Sequence, residues 1–261
     1  MNNATQYYLR RESQMSEKSI SVQKILGLID HTKLKPFETE EGIRELIEEA
    51  VKFGTYSVCI EPSYLKLSRE IIDSNKLDVK IAVVVDFPFG GGTTESRVMM
   101  INEYSKMAEE LDIVVQIGFV KSKRFDVVKE DLRRVVSAAH SNNRLIKIIV
   151  EDAYTMLDEK KELYKIVMES GADFIKTGTG FEDKEYASSL GNKTGAQVEN
   201  VRLMAEYSAK YNPDIGIKAA GGIHTYANAV SLLQASGKEP NPRKFRIGAS
   251  STEKIKESAV Q

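Results

Sequence analysis

Two lysines, Lys176 and Lys218, each stand inside a short apolar run that otherwise reads as a buried strand, ADFIKTGTG (172–180) and IGIKAAGGI (215–223). Lysine is almost never fully buried without a partner, so two of them at equivalent places in successive strand signals need a reason. One reason is chemical. A desolvated lysine beside a second cation has a lowered pKa, keeps a fraction of free amine near neutrality, and can attack a carbonyl to form a Schiff base. The competing reason is structural, with both lysines at strand ends reaching out to water.

Other polar residues gather late in strand-like runs. Asp112 and Gln116 fall in LDIVVQIGF (111–119), Lys147 and Glu151 in LIKIIVED (145–152), and Thr177 and Thr179 follow Lys176. Asp30, His31 and Thr32 end the first run, with Lys33 and Lys35 beyond. Period-two alternation puts Asp112, Val114 and Gln116 on one face, and Lys147, Ile149 and Glu151 on one face of the next run. A carboxylate near two lysines stays ionised, holds one lysine protonated and moves protons to and from a carbonyl through water. A purely structural ion pair of Asp112 with Lys147 or Lys176 is the alternative.

A second group is rich in glycine: TGTG (177–180), GGIHT (221–225) and GASST (248–252), the last two each followed by a helical pattern. Backbone N–H groups, hydroxyls and helix N-termini in such loops suit phosphate, although glycines also simply turn a chain into a helix. His224 sits in the second loop, where it could donate to a phosphate or act as acid and base, or be an ordinary loop residue. His31 could hydrogen-bond in the first loop and His140 reads as surface; three scattered histidines without ligand spacing give no metal site. Gly90, Gly91 and Gly92 read as a flexible loop, and the single cysteine, Cys59, as a small core residue.

These residues need a scaffold that brings distant runs to one mouth. Eight strand signals can be counted, at 26–30, 56–60, 79–87, 111–119, 145–152, 172–178, 215–221 and 245–250. Amphipathic patterns separate them. In TEEGIRELIEEAVKFG (39–54), Ile43, Leu46, Ile47, Ala50 and Val51 form one stripe, and Gly54 stops the helix. Thr155 with Asp158, and Thr194 with Gln197, have the spacing of N-terminal caps. The order is therefore βα repeated eight times, which predicts an α/β protein with a single closed (β/α)8 TIM barrel over 25–261. A doubly wound open sheet is the runner-up, disfavoured because IDHTKLKP (29–36) carries no dinucleotide-binding glycine fingerprint. In a barrel the active site lies at the C-terminal strand ends, where the polar residues above converge.

The bulk properties narrow the partners. The 261 residues are 41% hydrophobic, with 37 basic and 38 acidic residues interspersed and a net charge of −1, so no electrostatic footprint for nucleic acid or an anionic membrane exists. No apolar stretch approaches the roughly 18 residues that span a bilayer. Residues 1–24 read as a polar extension, poorly ordered or loosely docked, without the features of a secretion signal. One cysteine and no signal predict a reducing, cytoplasmic setting.

At these residues the chain resembles the deoxyribose-phosphate aldolase family of class I barrel aldolases. The resemblance covers about residues 25–255 and is carried by IDHTKLKP (29–36), SVCIEPSYL (57–65), LDIVVQIGFVKS (111–122), KIIVED (147–152), ADFIKTGTGF (172–181), GIKAAGGIHT (216–225) and RIGASS (246–251). It implies reversible cleavage of 2-deoxyribose 5-phosphate to acetaldehyde and glyceraldehyde 3-phosphate, in deoxyribose catabolism, without metal or organic cofactor. It implies Lys176 as the Schiff-base lysine, Lys218 as the second lysine that lowers its pKa, and Asp112 as a proton shuttle. Phosphate contacts are implied at Gly180, Gly221, Gly222, Gly248, Ser250 and Ser251, pocket residues at Asp30 and Thr32, and a place in the polar network for Lys147; Thr177, Thr179 and His224 add donors to the substrate site. Small sugar-phosphate and aldehyde substrates, and a homo-dimer or tetramer, are implied as well. The chain departs from the family pattern at His224, where arginine is usual, at Gln116, Gly178 and Asp86, and in ending AVQ (259–261) without a terminal tyrosine. Two other readings stand beside this one: a related class I aldolase with a different sugar acceptor, and a non-catalytic sugar-phosphate binding barrel.

Overall fold

Runs that are apolar on consecutive residues suit parallel strands covered on both faces. The computed structural model describes residues 20–259. Its strands are β1 (Ile29–Lys33), β2 (Ser57–Ile60), β3 (Lys80–Val85), β4 (Glu110–Val114), β5 (Leu145–Ile149), β6 (Phe174–Lys176), β7 (Gly216–Ala220) and β8 (Phe245–Ala249). They pair in sequence order, and β1 closes onto β8 to complete the barrel. All pairs are parallel, with Asp30 opposite Gly248 at the closure.

The described α-helices are α1 (Val22–Leu26), α2 (Glu40–Phe53), α3 (Leu65–Ser74), α4 (Thr94–Tyr104), α5 (Ile117–Lys121), α6 (Phe125–Ser141), α7 (Leu157–Glu169), α8 (Lys184–Ser189), α9 (Val198–Tyr211), α10 (Tyr226–Ser236) and α11 (Thr252–Glu257). In α2, Thr39 caps by accepting from Gly42 N, and Gly54 closes the helix at φ +68° in the left-handed region. Val51, placed on its stripe by spacing, is 48% exposed, and Phe53 is buried instead.

The alternation along the strands sorts two different environments. Ile29, Val58, Ile81, Val83, Leu111, Ile113, Ile146, Ile148, Ile175, Ile217, Phe245 and Ile247 belong to one continuous aliphatic core with the helices. Their neighbours Asp30, Ser57, Glu110, Asp112, Lys147, Lys176, Lys218 and Arg246 face one another inside the barrel, each buried. A barrel interior is ordinarily filled by branched aliphatic layers. Here much of it is ionic.

Several boundaries differ from the sequence expectation. The first strand lies at 29–33 rather than 26–30, because Ser21 caps α1 and that helix buries Ile25 and Leu26. The fourth strand stops at Val114: the Gln116 carbonyl accepts from Phe119 and Val120 and starts α5. Helix α7 starts from Met156, whose N–H is held by Glu159 at 2.8 Å, rather than from Thr155. Gln197 occupies the N-cap position of α9 without a side-chain cap bond, its amide donating to Thr194 O at 2.9 Å instead. The glycine triplet is tied down rather than loose. Gly90 N donates to Asp86 O, Gly92 N to Asp86 Oδ2 at 2.9 Å, and Gln116 Nε2 to Gly92 O at 2.8 Å. The extension expected at 1–24 falls, for residues 1–19, outside the described residues; residues 22–24 begin α1.

Candidate active site

Lys176 ends β6, and its Cα partner across the ladder is Lys218 on β7. The two ammonium groups converge on one oxygen, Asp112 Oδ2 on β4, at 2.8 Å from Lys176 and 2.7 Å from Lys218. Lys147 on β5 takes the other oxygen, Oδ1, at 2.8 Å. Asp30 on β1 pairs with Lys218 at 2.5 Å and Lys147 at 3.4 Å, and accepts from Ser57 at 2.7 Å. Two residues that sequence reasoning did not assign complete the cluster. Arg246 on β8 donates to Asp30 at 2.6 Å and to Glu110 at 2.5 Å, and Glu110 on β4 also pairs with Lys147 at 2.6 Å. Both were within reach of the period-two rule, since Glu110 precedes Asp112 by two and Arg246 precedes Gly248 by two.

The charges do not cancel: three carboxylates face four cations. Burial alone would raise the Asp112 carboxyl, but Lys147, Lys176 and Lys218 outweigh it and hold it well below the usual carboxylate range. Burial works against the charge of Lys218 too, yet Asp112 and Asp30 overcome it and raise its pKa. Lys147 is raised by the same balance, with Asp112, Asp30 and Glu110 opposing burial. Lys176 has a single carboxylate partner, and for it burial prevails, reinforced by repulsion from Lys218, so its pKa is lowered. The cluster thus singles out one lysine as the source of free amine.

Beside Lys176 the interior turns apolar. Leu34, Cys59, Ala82 and Val84 form a small buried cluster with Phe87 and Phe181 against it. Phe87 and Phe181 meet edge to face at 5.3 Å, and Lys35 lies over the Phe181 ring at 4.4 Å. Burial pushes the Cys59 thiol up, which leaves it a packing residue rather than a thiolate.

Three glycine-rich loops lie at the C-terminal ends of β6, β7 and β8. Gly180, Gly221 and Gly222 all have positive φ (+82°, +96° and +69°), a conformation that frees their N–H groups from the strand direction. Gly180 lies beside the second loop, where a Cβ on it would make an ordinary 3.9 Å contact with Gly221 Cα. His224 is exposed and its Nδ1 lies 3.2 Å from Ser251 Oγ, which joins the second loop to the third. Ser250 is exposed in that third loop. Gly248 faces inward, where a Cβ would meet Ala220 Cβ at 2.9 Å and Lys218 Cε at 3.2 Å, so it leaves room for the lysine.

The hydroxyls are already engaged. Thr177 Oγ1 donates to Ala220 O and accepts from Ala220 N, both at 3.0 Å, which stitches β6 to β7. Thr179 Oγ1 donates to Glu151 at 2.5 Å, and Thr32 Oγ1 to Asp30 O at 2.7 Å. Gln116 and Glu151, put beside Asp112 and Lys147 by alternation, lie past their strand ends and outside the ionic cluster. Glu151 adopts φ +49°, and burial, with Glu182 nearby, pushes its carboxyl up to about 8. Asp86 shares buried Arg97 with Asp131, at 3.1 and 3.2 Å. His31 is buried between Glu49 (2.8 Å) and Thr252 (2.7 Å), and His140 pairs with Asp173 at 3.0 Å on the surface. Among the described residues no cluster of three metal-ligating side chains exists, and no helix is long and apolar enough to cross a membrane.

A closed (β/α)8 barrel with a buried lysine of lowered pKa at the end of a strand defines a lysine-dependent barrel enzyme. Comparison with known proteins makes this more specific. The model of the DeoC/LacD family aldolases matches residues 24–252, and the chain belongs to that family. A deoxyribose-phosphate aldolase of Thermoplasma volcanium is 47% identical over 237 residues, covering 91% of this chain and 95% of that protein. One from Thermococcus gammatolerans is 40% identical over 236 residues, covering 90% and 96%. Among solved structures, a tetrameric deoxyribose phosphate aldolase from Aeropyrum pernix superposes with a TM-score of 0.80 at 26% identity, covering 96% of this chain and 97% of that one.

Proposed function

We propose that this chain is a class I deoxyribose-phosphate aldolase that reversibly cleaves 2-deoxy-D-ribose 5-phosphate to acetaldehyde and D-glyceraldehyde 3-phosphate. The observation that carries the reading is the position of Lys176: buried, next to Lys218, and the only member of the cluster whose ammonium form is disfavoured. Its neutral amine attacks the aldehyde carbon of the open-chain sugar and loses water to give the iminium. The carbon–carbon bond then breaks as the hydroxyl proton of the departing aldehyde leaves, and the electron pair flows into the iminium to give an enamine. Protonation of the enamine and addition of water release acetaldehyde and restore the amine. Asp112, held ionised by three lysines, with Lys218 beside it, takes and returns these protons through water. The glycine loops after β6, β7 and β8, with His224, Ser250 and Ser251, form the phosphate end of the site; Asp30, Thr32, Lys147, Thr177 and Thr179 fix the groups around the reacting carbon.

Borohydride added with substrate traps an adduct on Lys176, read by peptide mass spectrometry, and Lys176→Ala loses at least about a thousandfold in activity. An active enzyme that yields no trapped adduct sinks the Schiff-base mechanism. His224 supports a second, narrower reading, in which an imidazole in place of a guanidinium relaxes the demand for phosphate. Turnover of deoxyribose against its 5-phosphate, before and after His224→Arg, separates the two. The same assignment carries a homo-oligomeric state, to be read from light scattering, and a cytoplasmic location; the tetrameric relative and the single cysteine support these.

A further inference from the structure

The mechanism above leaves two members of the ionic cluster without work, Glu110 and Arg246. Both lie on the N-terminal side of the reacting groups, Glu110 at the first residue of β4 and Arg246 at the second of β8. Glu110 also lines a cavity of about 530 Å³ at the base of the barrel, together with Tyr56, Lys80, Asp173 and Arg243. Arg246 is stacked on the Tyr56 ring at 3.6 Å, and its Nε donates to Pro242 O at 2.8 Å. A guanidinium so fixed has one geometry for its carboxylates.

Traced contact by contact, six groups form a closed circuit of alternating sign. Glu110 pairs with Lys147 (2.6 Å), Lys147 with Asp112 (2.8 Å), Asp112 with Lys218 (2.7 Å), Lys218 with Asp30 (2.5 Å), Asp30 with Arg246 (2.6 Å), and Arg246 returns to Glu110 (2.5 Å). Three anions and three cations balance. Lys176 hangs from this circuit through Asp112 alone. The circuit is neutral without it, so losing its proton leaves every other member satisfied.

We propose that Glu110 and Arg246 are positioning residues for the lysine chemistry: by closing the circuit they balance its charge and leave Lys176 as the group that changes protonation. Lys176 is faced by Asp112 from β4, Lys218 from β7 and Cys59 from β2, with Lys147 and Asp30 on the far side of Asp112. Opening the circuit has a predictable sign. Removing the Arg246 charge leaves it one negative, which keeps the Lys176 proton on. Removing the Glu110 charge leaves it one positive, which drives that proton off. Removing both restores balance.

This inference rests on the aldolase reading for its purpose but not for its test. The amine of Lys176 is titrated in the full chain by reductive methylation with formaldehyde and cyanoborohydride at a series of pH values, quantified by peptide mass spectrometry. Arg246→Met is expected to move the labelling midpoint up by about one pH unit and Glu110→Gln to move it down by a similar amount, from a unit charge acting across a partly screened interior. The double variant returns close to wild type. Arg246→Lys, which keeps the charge, leaves the midpoint unmoved, and if Arg246→Met does not fold the Glu110→Gln shift decides alone, its absence overturning the proposal. Midpoints that stay put in both single variants, or move in the same direction, overturn the proposal. If the midpoints split as stated while the wild type does not cleave deoxyribose 5-phosphate, the circuit stands and the substrate assignment falls.

Discussion

Asp112 receives ammonium groups from β5, β6 and β7, so its loss strands three buried cations at once. Asp112→Asn is expected to lower stability by about 3–5 kcal/mol in urea unfolding, because breaking a buried pair leaves uncompensated charge. Activity falls at least about a hundredfold in the same variant, the range for a lost proton-transfer group. Glu151 makes a separate prediction. In the folded protein its carboxyl keeps its proton up to about 8, whereas the unfolded chain gives it up near 4.5. Between those values the unfolded state binds fewer protons, so stability falls as pH rises through the window and levels off above about 8. Glu151→Gln should flatten the decline of the thermal midpoint between pH 5 and 8, and an unchanged slope would assign the decline elsewhere. Lys176 and Lys218 were legible in the sequence because a cation in an apolar run is anomalous. Glu110 and Arg246 were harder to read: period-two spacing puts them on the faces of Asp112 and Gly248, but beside Glu109 and Lys244 at strand entrances they look like solvated charges.

At the scale of elements, tolerance is narrow between β6 and β7. A Cβ on Gly216 would stand 2.3 Å from the ring of Phe174, its ladder partner, which precedes Lys176 by two residues on β6. Gly216→Ala therefore costs about 1–3 kcal/mol by overpacking, measured by chemical unfolding, and Phe174→Leu in the same chain recovers part of it. If alanine is accepted without loss, the ring is not held where described. Strand number and order were readable from alternation of short β-branched runs with amphipathic ones. Strand ends were not, since they depend on local hydrogen bonds: the carbonyl of Gln116 turns an apolar continuation into α5, and Ser21 turns an apolar beginning into α1. Periodicity carries no record of either.

For the whole molecule, closure is the decisive property. The β1 to β8 pairing leaves the barrel no free edge, and among the described residues every strand and every member of the ionic cluster lies between residues 29 and 249. A chain starting at residue 20 is expected to keep the thermal midpoint and the specific activity of the full chain; a marked loss of either would give residues 1–19 a part in the fold. Eight repeats and a length near that of known barrels made closure the better reading over an open sheet. The chemistry of the interior was harder to see, because in a strand covered on both sides the sequence shows which residues alternate but not which set faces inward. The aliphatic set went outward to the helices, and the charged set stayed within.

An interior built this way also constrains descent. A mutation that neutralises one member of the closed set passes through an ancestor with a stranded charge, so these positions cannot drift one at a time. They are expected to change together, so that where a descendant has altered one, a compensating change is expected at its neighbour in the set. The outward aliphatic positions are under no such bond and can exchange Ile, Val and Leu singly. Two rates of divergence, alternating residue by residue along the same strand, follow from this arrangement of charge.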